Sequence, residues 1–483
     1  MSSHKRQREK RSPSSDDDNE NGLVGRADIS PPNKRVKSEG EKKVIQILEH
    51  LQNLFNLDPL KDSDVEKFNA KAVMKVITQN PHAATLKYKT KYLEEPCYPL
   101  HLVICFKSSV NVVDALFRAY PNAIKEKCTL SIGRPVTPLG LACSSGASVE
   151  VLSLLLTHHP PSVKEMNEQN QTLLHVGCKF HLSFESLSLL LETYPNAAIQ
   201  KDEDGHTPLH IACMNDFKLN TLSSLLQTCP EAAIVKDNRG NTPLHIACIY
   251  QVSLEVLSLL LETCPEAAKE QSNRGSLPLH HACNIRPLTT ETISLLLQKY
   301  KAGAVHKNSS GLTPLHIACR HNAPLEVVSL LIKTCPVAAQ LKENQGYTPL
   351  QLMCWEGEVN YPIFLLLLDV YPAAVLGRDV HGNTLLDHDY LPFVVGNLVY
   401  CVGNMIENHT DKAEVKESME YFIRVDWWKG VSMALNYQPC LVLEIIDSSA
   451  SSVFPYLLSM VGRSCKMLTL WSIISNKQDF LSS

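Results

Sequence analysis

Thr242-Pro-Leu-His-Ile-Ala-Cys248 decides how this chain is read, because close copies of it recur along the 483 residues at an almost fixed interval. Related heptads begin at Tyr98, Thr137, Thr172, Thr207, Leu277, Thr313, Thr348 and Thr384. With Thr242 in its place, the successive offsets are 39, 35, 35, 35, 35, 36, 35 and 36 residues. A period near 35 overrides the usual expectation of about three globular domains for this length, since repeats grow by stacking on their neighbours. Inside the unit from Thr242 to Gly275, Thr242 suits an N-cap and Pro243 a first helical turn, where a missing N–H loses nothing. Leu244, Ala247 and Cys248 then form a narrow face of small residues, and Val256, Leu257, Leu259, Leu260 and Leu261 give a second, larger face that Pro265 stops. Asn273-Arg274-Gly275-Ser276 predicts a tight turn in which glycine supplies a positive φ, repeated at Gly205, Gly240, Gly311, Gly346 and Gly382.

Outward from the array, residues 1–43 read as a disordered tail of Ser, Pro, Asp, Lys and Arg with too little apolar surface to offset ordering. The tail holds a basic cluster at Lys34, Arg35 and Lys37, which resembles a nuclear-localisation signal and points to an import receptor. Ser12-Pro13 and Ser30-Pro31 are weak matches to proline-directed phosphorylation sites. Residues 44–97 predict an N-terminal helical cap: Val44, Ile47, Leu48, Leu51, Leu54 and Phe55 share one helix face. A degenerate repeat follows, ending in Pro81-His-Ala-Ala84. The array spans 98–390. Residues 391–483 carry no period but are apolar, with helices expected over Val415–Lys429 and Phe454–Ser475, and read as a C-terminal helical cap.

The helix pair opening with "TPLHIAC", the leucine-rich second helix and the "DxxGxTPLH" turn together resemble the ankyrin repeat. The resemblance covers about 98–390, eight repeats plus a degraded one at Thr384-Leu-Leu-Asp-His-Asp-Tyr390, and the unit is two residues longer than the common 33-residue form. Gly140 and Gln351 stand where the motif has histidine. The resemblance implies an all-α ankyrin-repeat solenoid, with β-turn fingers and first helices lining a concave face.

Several chemistries can be weighed and set aside. Seven cysteines fall at one repeat position, Cys143, Cys178, Cys213, Cys248, Cys283, Cys319 and Cys354. They read as buried reduced thiols, because equivalent positions on stacked units lie about 10 Å apart, beyond disulfide reach. Five His-x-x-Cys pairs have helical spacing suited to zinc, yet so many copies suit a structural rule better than one metal centre. There is no G-x-S-x-G elbow, H-E-x-x-H pair or phosphate loop. No catalytic residue, metal or cofactor is therefore expected, and the chain is not read as an enzyme. Residues 391–406 are too short and interrupted for a membrane span. Residues 44–483 carry net −7 against +3 for the tail, so neither membrane nor nucleic acid is expected as a partner.

Binding remains. Positions after the motif cysteine, and fingers beside the turn glycine, hold Phe180, Arg239, Tyr250, Arg274, Arg320, Tyr347 and Trp355, side chains typical of protein hot spots. They predict a groove over the central and C-terminal repeats. The expected function is a non-catalytic scaffold or adaptor for a protein partner, located in nucleus or cytoplasm. The alternative is a targeting subunit whose C-terminal helices recruit an enzyme such as a ubiquitin ligase or kinase.

Overall fold

The computed structural model describes residues 39–59, 61–89, 95–129, 135–215, 218–284, 289–355, 359–387, 391–407 and 411–437. The tail up to residue 38, with Lys34, Arg35 and Lys37, and the expected helix Phe454–Ser475 lie outside them. The described residues fall into two units, divided between His50 and Leu51. The described part of the first belongs to a helix, Glu39–Leu54.

The second unit is all-α and repetitive. In the repeat that opens at Thr242, helix Pro243–Tyr250 is followed by helix Leu254–Thr263. Thr242 takes the extended backbone of an N-cap. The first helix buries Leu244, Ala247 and Cys248, and the second Val256, Leu257, Leu260 and Leu261. Small residues let successive first helices pack closely into an inner row, while the longer leucine-rich helices form an outer row.

Pro265 does more than stop the second helix. Cys264, extended at φ −141° as a residue before proline must be, leads into a 3-10 turn, Pro265–Lys269, which buries Ala267 and Ala268. The same turn recurs from Pro81–Thr85 to Pro372–Leu376. It forms even at Lys301–Val305, where Lys301 replaces the proline and Gly303 and Ala304 are buried, so packing of the buried pair, and not proline alone, maintains it.

Between repeats the fingers are tied by a ladder of backbone hydrogen bonds. Asn238 N donates to Asp204 O at 3.0 Å, Asn273 N to Arg239 O at 2.9 Å, Ser309 N to Arg274 O at 2.9 Å and Val380 N to Gln345 O at 3.0 Å. Each finger is closed internally by an acceptor side chain; Asp237 Oδ1 takes the amides of Arg239 at 2.8 Å and Asn241 at 2.7 Å. Gly240 follows at φ +78°, and a Cβ there would lie 2.5 Å from Asn273 N. Glycine is thus required both for the turn and for the approach of the next finger.

The ends depart from the repeat. Before the array, helices Asp62–Lys67 and Ala70–Gln79 and the turn Pro81–Thr85 reproduce a shortened unit. After it, the described residues at the start of the ninth unit form a 3-10 turn, Leu385–Asp387. Asp387 nevertheless accepts from Thr384 N at 2.6 Å and Thr384 Oγ1 at 2.9 Å, closing the turn as the motif histidine does elsewhere. Helix Phe393–Glu407 then packs on the turn Pro372–Leu376. The glycines in that stretch argue against a helix from sequence, but Gly403 faces Leu376 Cδ2, where a Cβ would be at 3.4 Å, so the small residue permits a close crossing. The expected helix Val415–Lys429 is two: Lys412–Arg424 and Trp428–Tyr437. They are separated at Asp426, whose φ of +59° no helix continues. No helix among the described residues is long and apolar enough to cross a membrane.

Candidate interaction groove

The His-x-x-Cys pairs are joints between repeats. In the unit at Thr242, His245 Nδ1 accepts from Thr242 N at 3.1 Å and lies 2.9 Å from Thr242 Oγ1, while Nε2 donates to Ser276 O of the next unit at 3.0 Å. His175, His210 and His316 repeat the pattern onto His206 O, Asn241 O and Tyr347 O. Both ring nitrogens are engaged and the rings are buried, which fixes them as neutral imidazoles. Burial pulls His245 down to about 3, and His210, His280 and His316 down to about 4. Burial likewise pushes the thiols of Cys143, Cys213 and Cys354 up to about 12. These groups hold the stack together and offer neither a metal ligand with a free nitrogen nor a thiolate nucleophile. Gln351 closes the same turn without a ring, Oε1 accepting from Thr348 N at 2.9 Å, but its Nε2 donates at 2.6 Å to Gly377 O, within its own repeat.

The joints fix where variable side chains emerge. Phe180 caps helix Leu173–Lys179, and Tyr250 and Trp355 end Pro243–Tyr250 and Pro349–Trp355. Their side chains remain 47%, 54% and 47% exposed. Arg239 and Arg274 sit exposed on finger turns, their backbone carbonyls committed to the ladder and their guanidinium groups outside it. Arg320 is exposed at the end of helix Pro314–Arg320. Tyr347 is half-buried: its hydroxyl donates to Asp379 Oδ2 at 3.0 Å and its ring lies 5.4 Å from that of Trp355. The fold therefore joins Tyr347 and Trp355 into one aromatic step and spaces the other five along the row. Lys179 Nζ lies 5.8 Å over the Phe180 ring.

One feature escaped the sequence reading. A cavity of about 460 Å³ opens over helix Pro138–Ser145, toward the N-terminal end of the array. Gly140, Ser144 and Ser145 form its floor at the positions that His245, Ile249 and Tyr250 occupy in the Thr242 unit. Large residues at groove positions mark a binding surface by addition, and here the signal is their absence.

A family model described as "Ankyrin repeats (3 copies)" matches residues 181–273, 209–304, 253–340 and 279–379. The chain carries an array of ankyrin repeats. Among solved structures, the ankyrin array is similar to the ankyrin repeat domain of Bcl-3, described as a unique member of the IkappaB protein family. The identity is 26% over 48% of this chain and 97% of that one, with a TM-score of 0.39. No curated protein sequence matches the chain. Ankyrin repeats generally mediate protein–protein interactions, which fits a row of half-exposed aromatic and arginine side chains on a rigid ladder.

Proposed function

We propose that the protein is a non-catalytic scaffold or adaptor that holds a protein partner along the inner helices and fingers of its ankyrin array. The observation that carries this reading is the register of Phe180, Tyr250 and Trp355. Each stands one or two residues past its motif cysteine and about half-exposed, on helices whose other aromatic-sized positions are buried. A surface preorganised by the histidine joints and finger ladder loses little entropy on binding, so a few anchors at fixed spacing suffice for affinity.

The test is capture of partners by the full chain and by a chain with Arg239, Tyr250, Arg274 and Trp355 all changed to Ala, once both are shown to melt alike. A defined protein held by the first and weakened at least 30-fold in the second is expected, equivalent to about 2 kcal/mol from a hot-spot residue. Equal capture by both overturns the placement. In the same reading, Lys34, Arg35 and Lys37 address the scaffold to an import receptor and so to the nucleus. A chain with all three changed to Ala that still accumulates there as the wild type does refutes that part alone.

A further inference from the structure

We propose that the cavity over helix Pro138–Ser145 is an anchor pocket for a single tryptophan side chain, presented by an uncharged, extended segment of a partner protein. The inference rests on the reading of the array as a protein-binding scaffold and names what one part of it recognises.

Three observations select the occupant. First, the floor is what the neighbouring repeats fill. Ser144 and Ser145 replace the isoleucine and tyrosine of the Thr242 unit and open space above the helix end, while at Gly140, which replaces the histidine, Val136 packs so close that a Cβ would lie 2.9 Å from its Cγ1. The volume, about 460 Å³, lies in the range of sites that enclose a small ligand. The walls are apolar: Val136, Leu141, Leu173 and Val176, with Met166 and Phe180 standing 40% and 47% exposed beside them.

Second, the floor offers acceptors. Ser144 Oγ donates its proton to Leu141 O at 3.0 Å, and Ser145 Oγ directs its own to Ile104 O at 3.3 Å or Ala142 O at 3.4 Å. With those protons committed, the remaining lone pairs are the hydrogen-bonding capacity the two serines present to an occupant. An occupant with a large apolar body and a single donor satisfies both walls and floor, and indole is donor-only, whereas a phenol would add lone pairs that a floor with its own protons committed cannot satisfy.

Third, the rim carries no net charge. Lys107, Lys127 and Lys179 are matched in number by Asp58, Asp62 and Glu165. Neither an acidic nor a basic ligand gains from such a rim, and recognition should vary little with salt.

The experiment titrates the full chain with N-acetyl-tryptophanamide, followed by saturation-transfer NMR, with N-acetyl-phenylalaninamide and N-acetyl-glutamic acid amide as comparison probes. Two plugs keep the fold's own vocabulary: Ser145→Tyr introduces the residue found at Tyr250, and Ser144→Ile the residue found at Ile249. Saturable binding of the tryptophan probe by the wild type is expected, weaker binding of the phenylalanine probe, and none of the glutamate probe. Affinity for the tryptophan probe should fall at least tenfold in either plugged chain and stay unchanged in Tyr250→Ala. Failure of the wild type to bind, tighter binding of the glutamate probe, or full binding by both plugged chains that melt normally each overturns the assignment. Because Tyr250→Ala disrupts the central groove and not the cavity, loss of partner capture in the four-residue variant and loss of the tryptophan probe in the plugged chains report on the two readings separately.

Discussion

Acidification should loosen this stack through its buried histidines, and the effect can be assigned to single rings. His245 is neutral in the fold, with a folded value pulled down to about 3 by burial against an ordinary 6.5. The unfolded chain therefore takes up the proton first. The stabilisation is fully present above about pH 6.5 and is lost as pH falls toward the folded value. At pH 5 the unfolded side chain lies about 1.5 units below its own pKa while the folded ring remains neutral, which at about 1.4 kcal/mol per unit is about 2 kcal/mol for this one group. His210, His280 and His316, pulled down to about 4, act in the same direction over the same window. The structure also supplies the control. Gln351 accepts from Thr348 N as the histidines do, but its donor bond runs to Gly377 O within its own repeat, and it does not titrate. His245→Gln should therefore keep the acceptor for Thr242 N and lose the proton-binding site. Urea unfolding at pH 7 and pH 5 reads the difference: the wild type should lose about 2 kcal/mol more than His245→Gln between the two values. Equal losses would refute the assignment of acid lability to the buried imidazole, whatever the absolute stabilities.

Other consequences are local. Gly240→Ala sets a Cβ 2.5 Å from Asn273 N at a positive φ, whereas Gly382→Ala meets nothing within 4 Å at a similar φ. The first should therefore lower the thermal midpoint more than the second, and equal shifts would show that backbone conformation alone matters. Trp427 Nε1 donates to Asp369 Oδ1 at 2.7 Å, and desolvation already raises the carboxyl's pKa. Trp427→Phe should thus destabilise the contact between the last repeat and the C-terminal helices by about 1–3 kcal/mol, seen as faster hydrogen exchange over 412–437 with the central repeats unchanged. Cys248→Ser keeps the size of a buried thiol but adds a hydroxyl to a site that is 3% exposed. A loss of about 1–3 kcal/mol in urea is expected, and an unchanged midpoint would mean that the site can supply the hydroxyl a partner.

The repeat was legible because every level of it agrees: Thr and Pro set the helix start, small and large residues sort into inner and outer helices, and glycine marks the finger. What escaped was written in exceptions. The 3-10 turn at Lys301–Val305 lacks the proline that signals it elsewhere and is imposed by packing of its Gly303-Ala304 pair. Helix Phe393–Glu407 holds glycines that local propensity counts against, and only its crossing over Leu376 explains them. Helix Lys412–Arg424 ends because Trp427 folds back, its ring edge-on to Phe422 at 4.9 Å, a contact no periodicity reveals.

The same distinction separates the two candidate surfaces. Large side chains at groove positions can be found by scanning the repeat, because each departs from a small consensus by addition. A pocket departs by subtraction, and one missing ring means little unless its neighbours are missing too. At Ser144 and Ser145 two adjacent positions at the end of one helix are reduced together. Leu141 and Leu173 line the space while staying buried in the core, and the half-buried Val136 and Val176 complete its walls. In a repeat array, then, the position-by-position difference from the neighbouring units carries functional information of both signs. The reductions are the more telling, since an exposed large residue can be incidental whereas a lined vacancy needs several substitutions in register.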